Sequence, residues 1–308
     1  MISKKTSAAI DLGSNSFILT IVDENGELVF EKLITVAIAN ESEPLQIRIE
    51  RARNVLNYFV EKLEKMNTER AYIFGTQFFR KNPDVFNSVV ENVKDSGSVK
   101  INIKILSEKE EALMSYFSVK LDPVMSEIVS PVVVDIGGGS VEIVFEGKSL
   151  NYKSLELGAW KLTNRFVEDF PIGFEIRKKM EDFVLQNLEI PDHIIGTLVG
   201  IGGTFVTLAA MFLKKDFDSF SKLNGTKVPR KWLVETVENL FKLDLEDIRK
   251  IKGLPAERAK IIPAGGLVVM ILMEQFSKED HFIVSSKGCR YSVARFGFDL
   301  ESLLRRHR

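Results

Sequence analysis

The stretch Val133 to Val144 reads VVDIGGGSVEIV, and an echo of it, AAIDLGSNSF, runs from Ala8 to Phe17. In both, a short run of small or branched apolar residues has the pattern of a buried strand and ends on an aspartate followed by a glycine turn. Asp11 to Ser16 (DLGSNS) and Asp135 to Ser140 (DIGGGS) share the form D-[LI]-G-x-x-S. Each is followed by a strand and a hairpin signal, Asn25-Gly26 in the first half and Glu146-Gly147 in the second. A second glycine turn comes later in each half: Gly75 stands 64 residues after Asp11, and Gly202 stands 67 after Asp135. Four landmarks in one order at matching distances imply a duplicated unit.

The chemistry of these turns points to phosphate. Glycines let successive peptide N–H groups converge on an anion. Around Gly13, Gly137, Gly138, Gly139, Gly202 and Gly203 the side chains are small, and Ser14, Asn15, Ser16, Ser140 and Thr204 add neutral donors. A carboxylate at the head of each turn would repel a bare phosphate. It makes sense where a divalent cation, Mg²⁺ above all, stands between carboxylate and phosphate. Neither G-x-x-x-x-G-K-[ST] nor a G-x-G-x-x-G after a strand is present, which excludes a Walker-type loop and argues against a dinucleotide site.

Outward from the turns, strands are expected over 7–11, 17–23, 27–34, 71–75 and 100–106, then 131–136, 141–145 and 281–285. Helices are expected over 50–66, from Pro83 to near Gly97, from Ser107 to about 120, over 158–169, 174–189 and 204–213, from Pro229 to about 241, over 256–276, and at the chain end. Ser107 with Glu110 fits a capping box. Mixed strands and helices mean an α/β protein. A length of 308 residues suits two domains, 1–122 and 123–308, with the boundary near Asp122-Pro123 and the last helix able to pack back on the first domain.

The composition narrows the partners. Forty-two Lys and Arg against 43 Asp and Glu leave a formal charge of −1, so no bulk field favours nucleic acid or an anionic membrane. The uncharged run Ile194–Leu213 is long enough to span a bilayer, but its four glycines split it into a strand, a turn and a helix. One cysteine, Cys289, excludes a disulfide framework, and three scattered histidines (His193, His281, His307) do not suggest histidine-rich metal chemistry. With no apolar secretion signal after Met1, a reducing cytoplasm is expected. Trp160 and Trp232 read as partly buried helix residues.

At these residues the chain resembles the actin-like ATPase superfamily, two ribonuclease-H-like domains around an interdomain cleft. Within it the chain resembles most closely the exopolyphosphatase / guanosine pentaphosphate phosphohydrolase (Ppx/GppA) family. The matching segments are AAIDLGSNSF (8–17), GTQFFR (75–80), SEKEEA (107–112), VVDIGGGSVEIV (133–144), LGAWKLTNRF (157–166), GIGGTFVTLAA (200–210), GLPAERAKIIPAG (253–265) and SSKGCR (285–290). The resemblance implies Mg²⁺-dependent hydrolysis of a terminal phosphoanhydride in inorganic polyphosphate or guanosine pentaphosphate, and a possible homodimer.

It also implies roles. Asp135 and Glu142 stand at the metal-binding pair, and Asp11 heads the opposite phosphate turn. Asn15 and Ser140 hold phosphate, and Arg80 clamps it with a guanidinium fork. Glu111 matches the glutamate that activates water, and Arg258 is a second phosphate contact. The residues admit plainer readings: Glu142 as an exposed strand residue, Glu111 as a helix-stabilising first-turn acid, Arg80-Lys81 as a basic loop. Substrate-contacting positions depart from the family: Ile18 for its histidine, TVAIANESEP (35–44) for its glycine-rich segment, and Asn224-Gly225 for its His-Gly pair. The drift keeps two further readings open, a non-hydrolytic sensor of polyphosphate or guanosine tetra/pentaphosphate, and a small-molecule kinase.

Overall fold

The computed structural model describes residues 5–93, 99–189, 194–215, 220–277 and 279–306. The chain forms two compact units: residues 1–118 with 289–308, and residues 119–288.

The first unit runs β1 (Thr6–Leu12), β2 (Ser16–Asp23), β3 (Leu28–Thr35), α1 (Leu45–Lys65), β4 (Arg70–Gly75), α2 (Gln77–Lys81), α3 (Pro83–Val90), β5 (Lys100–Ile105) and α4 (Glu108–Lys120). The second runs β6 (Pro131–Ile136), β7 (Val141–Glu146), β8 (Leu150–Leu155), α5 (Ala159–Phe166), α6 (Gly173–Gln186), β9 (Thr197–Ile201), α7 (Gly202–Leu213), β10 (Thr226–Pro229), α8 (Arg230–Leu240), α9 (Leu245–Arg249), α10 (Ile262–Phe276) and β11 (His281–Val284). The chain then returns to the first unit as α11 (Cys289–Phe296) and α12 (Leu300–Arg306). The sequence favoured a break at Asp122-Pro123; the chain crosses at Ser118/Val119 and again at Gly288/Cys289.

The duplication is written in the sheets. The first has order β3-β2-β1-β4-β5, and the second β8-β7-β6-β9-β11 with β10 added at the edge. In both, the first three strands are an antiparallel meander, β4 and β5 in the first and β9 and β11 in the second run parallel to the central strand, and the edge strand β10 runs antiparallel to β11. The registers agree residue by residue. Asp11 lies opposite Ile18 and beside Phe74, and Asp135 lies opposite Glu142 and beside Ile201. The strand just before the second glycine turn therefore lies alongside the aspartate in each unit.

Burial follows from the residue patterns. Ala8, Ile10 and Leu12 of β1 join Phe17, Leu19 and Ile21 of β2 and the inner face of α1 (Ala52, Leu56, Phe59, Leu63) in one core. In the second unit α10 is apolar on every side, and Ile262 through Met273 are all buried, the state expected of a helix surrounded by others. It contacts α5, α6, α7 and α8.

Several local expectations shift. Pro263 opens α10, so the run expected over 256–276 is split by a 3₁₀ turn at Ala256–Arg258 and only its second part is α-helix. The short elements α2, α9 and β10 carried no periodic signal, and the single expected C-terminal helix is two. The 194–213 stretch holds a strand, a turn and a helix, and among the described residues no helix is long and apolar enough to cross a membrane. Gly97, the expected end of α3, and His193 and His307 lie outside the described residues. Trp232 is half-buried as expected, whereas Trp160 is 58% exposed.

Candidate active site

Each unit presents an acid-headed turn built in the same way. In the first, the N–H of Gly13 donates to Ser16 O at 3.1 Å and closes the turn. Its carbonyls are occupied: Asn15 O accepts from the N–H groups of Val36 and Ala37 at 2.8 and 2.7 Å, and Ser14 O from Ala39 N–H at 3.1 Å. In the second, Gly137 N–H donates to Ser140 O at 3.0 Å. The carbonyls of Gly137, Gly138 and Gly139 accept from Ala159, Lys161 and Gly158 at 3.0, 2.9 and 3.2 Å. Among the described residues, the N–H groups of Ser14, Asn15, Gly138 and Gly139 donate to no carbonyl of the chain. A turn with its carbonyls held away and its N–H groups unspent is an anion nest.

The segment 35–44 is a strap on the first nest. Arg48 and Arg51 on α1 donate to Ile38 O at 2.6 Å and Val36 O at 2.7 Å, and Arg51 also pairs with Glu43 at 2.8 Å. The acidic residues that the sequence brings into this segment are thus partly absorbed by α1.

Asp11, next to last in β1, has its Oδ1 shielded from solvent and without a hydrogen-bond partner. Burial, reinforced by the nearby charge of Glu111 and opposed by Arg290, pushes its carboxyl up to about 7. Glu111 stands in the first turn of α4. The turn is fixed by the expected capping box: Ser107 N–H and Oγ donate to Glu110 Oε2 at 3.0 and 2.8 Å, and Glu110 N–H donates back to Ser107 Oγ at 3.2 Å. Glu111 Oε2 accepts from Arg80 Nη1 at 2.7 Å, and the same nitrogen reaches Leu106 O at 2.9 Å. Burial raises the Glu111 carboxyl above the usual glutamate range even though Arg80 acts to lower it. Arg80, expected to clamp phosphate, thus spends one nitrogen orienting the candidate base.

Sequence reasoning missed Arg290. Its Nε donates to Glu31 Oε2 at 3.0 Å, and Thr20 Oγ1 donates to the same oxygen at 3.1 Å. Burial acts to lower the guanidinium, but Glu31, Tyr291 and Asp11 together raise it, so it is a fixed positive charge near Asp11. Arg290 lies in the quoted SSKGCR segment, but 259 residues separate it from Glu31, and no local pattern joins them.

In the second unit Asp135 and Glu142 are direct register partners on β6 and β7. Opposite residues of an antiparallel pair project from the same face with Cβ atoms about 5 Å apart, which brings two carboxylates together. Ser154 Oγ donates to Glu142 Oε1 at 3.2 Å. Ile18 occupies the position equivalent to Glu142 in the first unit, so only the second unit has the acidic pair. Carboxylate oxygens in such a pair fit a hard divalent cation, and Mg²⁺ commonly uses one or two protein carboxylates with substrate oxygens. Among the described residues the one cluster of three possible ligands lies elsewhere, at Glu279, Asp280 and His281 before and at the start of β11, and is mostly exposed.

The second glycine turn backs this pair. Gly202 has φ +77°, and a Cβ there would stand 2.2 Å from Asp135 Oδ1. At Gly203 a Cβ would stand 2.1 Å from Arg258 Nη2, so that guanidinium lies flat against the turn. Burial lowers the Arg258 guanidinium, opposed by Glu257 and Asp135. Thr204 Oγ1 donates to Ile136 O at 3.1 Å and ties α7 to the end of β6. Gly202→Ala is therefore expected to lose about 1–2 kcal/mol of stability from the left-handed backbone alone and to displace the Asp135 carboxylate. Urea unfolding and an Mg²⁺ titration of the variant check the two effects separately.

Two sheets of one order, each headed by an acidic anion nest, define a duplicated ribonuclease-H-like protein of the actin-like class. The chain matches the Ppx/GppA phosphatase family over residues 18–294 and belongs to it. It is 28% identical over 293 residues to a guanosine-5'-triphosphate,3'-diphosphate pyrophosphatase of Photobacterium profundum, covering 88% of this chain and 55% of that protein. It is 27% identical over 283 residues to exopolyphosphatase 2 of Mycobacterium tuberculosis, covering 85% of this chain and 88% of that one. The solved PPX-GPPA enzyme of Aquifex aeolicus superposes with a TM-score of 0.82 at 26% identity, over 94% of this chain and 98% of that one. The chain thus spans about half the length of the pyrophosphatase-type relative.

Proposed function

We propose that this protein is a divalent-cation-dependent phosphohydrolase that releases terminal orthophosphate from inorganic polyphosphate or guanosine pentaphosphate. The observation that carries the reading is Glu111: a half-buried, raised carboxylate oriented by Arg80, with the partnerless Asp11 Oδ1 in its electrostatic neighbourhood. The names of the relatives supply the substrate classes.

The roles divide by residue. Within each unit the nest N–H groups, with Asn15 in the first and Ser140 in the second, are suited to phosphoryl oxygens, and in the second Arg258 adds a cation against the Gly202-Gly203 turn. Asp135 and Glu142 would hold Mg²⁺, which when bound offsets charge on the phosphoryl oxygens. Glu111 accepts a proton from the attacking water, and Arg80 keeps its carboxylate aimed. A carboxyl raised above the ordinary glutamate value by burial is a stronger base. Phosphoryl transfer through a loose transition state asks the protein mainly for positioning and charge stabilisation, which these rigid turns suit.

The test is phosphate release with Mg²⁺ over short polyphosphate, long polyphosphate, guanosine pentaphosphate and ATP. Release from one of the first three, ahead of ATP, is expected. Tight binding without release would overturn the hydrolase in favour of a sensor, a reading motivated by the acidic 35–44 strap. Asp135→Asn and Glu142→Gln are each expected to raise the Mg²⁺ concentration for half-maximal rate by at least ~10-fold.

A further inference from the structure

We propose that Trp160 is the platform on which the purine ring of a guanosine polyphosphate stacks, so that it biases the site toward nucleotide over inorganic polyphosphate. The inference deepens the phosphohydrolase reading and rests on it for the identity of the site.

Trp160 lies on α5, a helix with one buried face. Ala159, Leu162 and Thr163 are buried, and the opposite face should carry polar residues, as Asn164 and Arg165 do. Trp160 breaks that pattern at 58% exposed, on the solvent side of an otherwise ordinary amphipathic helix. The packing of α5 gives it no reason to be there.

Its position is fixed by the phosphate turn. Three successive carbonyls of the nest, on Gly137, Gly138 and Gly139, are bonded by N–H groups of Ala159, Lys161 and Gly158, the residues around Trp160. A Cβ built on Gly138 would lie 3.5 Å from Trp160 Cβ. The root of the Trp160 side chain is therefore anchored at the rim of the nest, within reach of the next part of a ligand whose phosphates occupy the turn N–H groups. Asn164 stands one turn along the same face, an amide able to donate to and accept from a base edge. An aromatic ring stacks on any nucleobase, whereas inorganic polyphosphate has no flat apolar face to offer it.

The chain holds two tryptophans, and the other, Trp232, packs edge-on against Phe212. Intrinsic fluorescence therefore reads Trp160 once the Trp160→Phe signal is subtracted. The experiment compares wild type, Trp160→Ala and Trp160→Phe in steady-state hydrolysis of guanosine pentaphosphate and of tripolyphosphate, and in fluorescence titrations with guanosine tetraphosphate and tripolyphosphate. Trp160→Ala is expected to raise KM for guanosine pentaphosphate by roughly 5- to 100-fold and to leave KM for tripolyphosphate within about twofold, because stacking serves only the base. Trp160→Phe should recover most of the loss. Guanosine tetraphosphate should quench wild-type fluorescence, tripolyphosphate should not, and the quench should vanish in Trp160→Phe. An unchanged KM for the nucleotide, or an equal rise for both substrates, would overturn the proposal. Should wild type release phosphate from neither substrate, the hydrolase reading falls, and the titration alone decides: a Trp160-dependent quench by the nucleotide supports the platform, and its absence sinks it.

Discussion

Glu111→Gln is expected to lower the rate of phosphate release by about 10²- to 10⁴-fold, the span typical of losing a positioned general base, while leaving substrate binding close to wild type. The substitution isolates charge from shape. Gln keeps an oxygen that can accept from Arg80 Nη1, so the 2.7 Å contact and the first turn of α4 survive. What it removes is the capacity to take a proton. If Glu111 instead served only the helix dipole, the cost would be a stability loss of about 0.3–1 kcal/mol with turnover intact. Isothermal titration of a substrate with single-turnover kinetics on the same variant separates these outcomes. The pH profile adds a second reading. Because burial raises the Glu111 carboxyl, the acid limb of kcat/KM should fall at a higher pH than an ordinary glutamate would give, and that limb should be absent from the residual rate of the variant.

Much of this arrangement was legible in the residues, because the duplication repeats local chemistry. A strand ending in Asp-x-Gly, a two-strand hairpin and a later glycine turn are each specified within a few residues of themselves, and their order recurs. The sheets β3-β2-β1-β4-β5 and β8-β7-β6-β9-β11 follow from that recurrence. The acidic pair was legible through the family resemblance, and the structure supplies its geometry: Asp135 and Glu142, seven residues apart around a tight turn, are register partners. The same spacing brings Ile18 opposite Asp11, an equivalence that the strand registers reveal.

What stayed hidden depends on long-range packing. The chain end from Cys289 has the same amphipathic character whichever unit it covers; contacts of α11 with β1, β2 and β4 decide the matter. That choice delivers Arg290 to Glu31 and into the field of Asp11, a link with no local signature. Arg80 was legible as a cation near the site but not as the partner of Glu111, because the two lie 31 residues apart on separate elements. Exposure of Trp160 was illegible for a related reason: its helix turns its buried stripe on Ala159 and Leu162, and the neighbouring position falls outside it.

Asp11→Asn should make the protein more stable and less active, and the gain should depend on pH. The Asp11 carboxyl sits at about 7 in the folded chain against an ordinary 3.8. Below the ordinary value both states are protonated and the side chain contributes no pH dependence. As pH rises from there toward 7, the unfolded chain releases the proton while the folded chain retains it, so folding stability falls. Above 7 both states are ionised, and the full cost of a shielded carboxylate with an unpartnered Oδ1 is present. The whole difference corresponds to about 4 kcal/mol, and relaxation of the surroundings makes ~2 kcal/mol the expected net gain for Asn. Asn matches the shape of the protonated acid and does not titrate. Its advantage over wild type should therefore be small near pH 4, grow through pH 5 and 6, and level off above pH 7. Urea unfolding at each pH measures it directly. A constant difference across that range would mean that Asp11 is not the group under strain. The loss of activity in the same variant would give the strain its reason. Arg290 could offset a purely structural carboxylate at this position, yet Oδ1 is left without a partner, and a stability gain coupled to a loss of turnover in Asp11→Asn is the signature expected of a group strained for function.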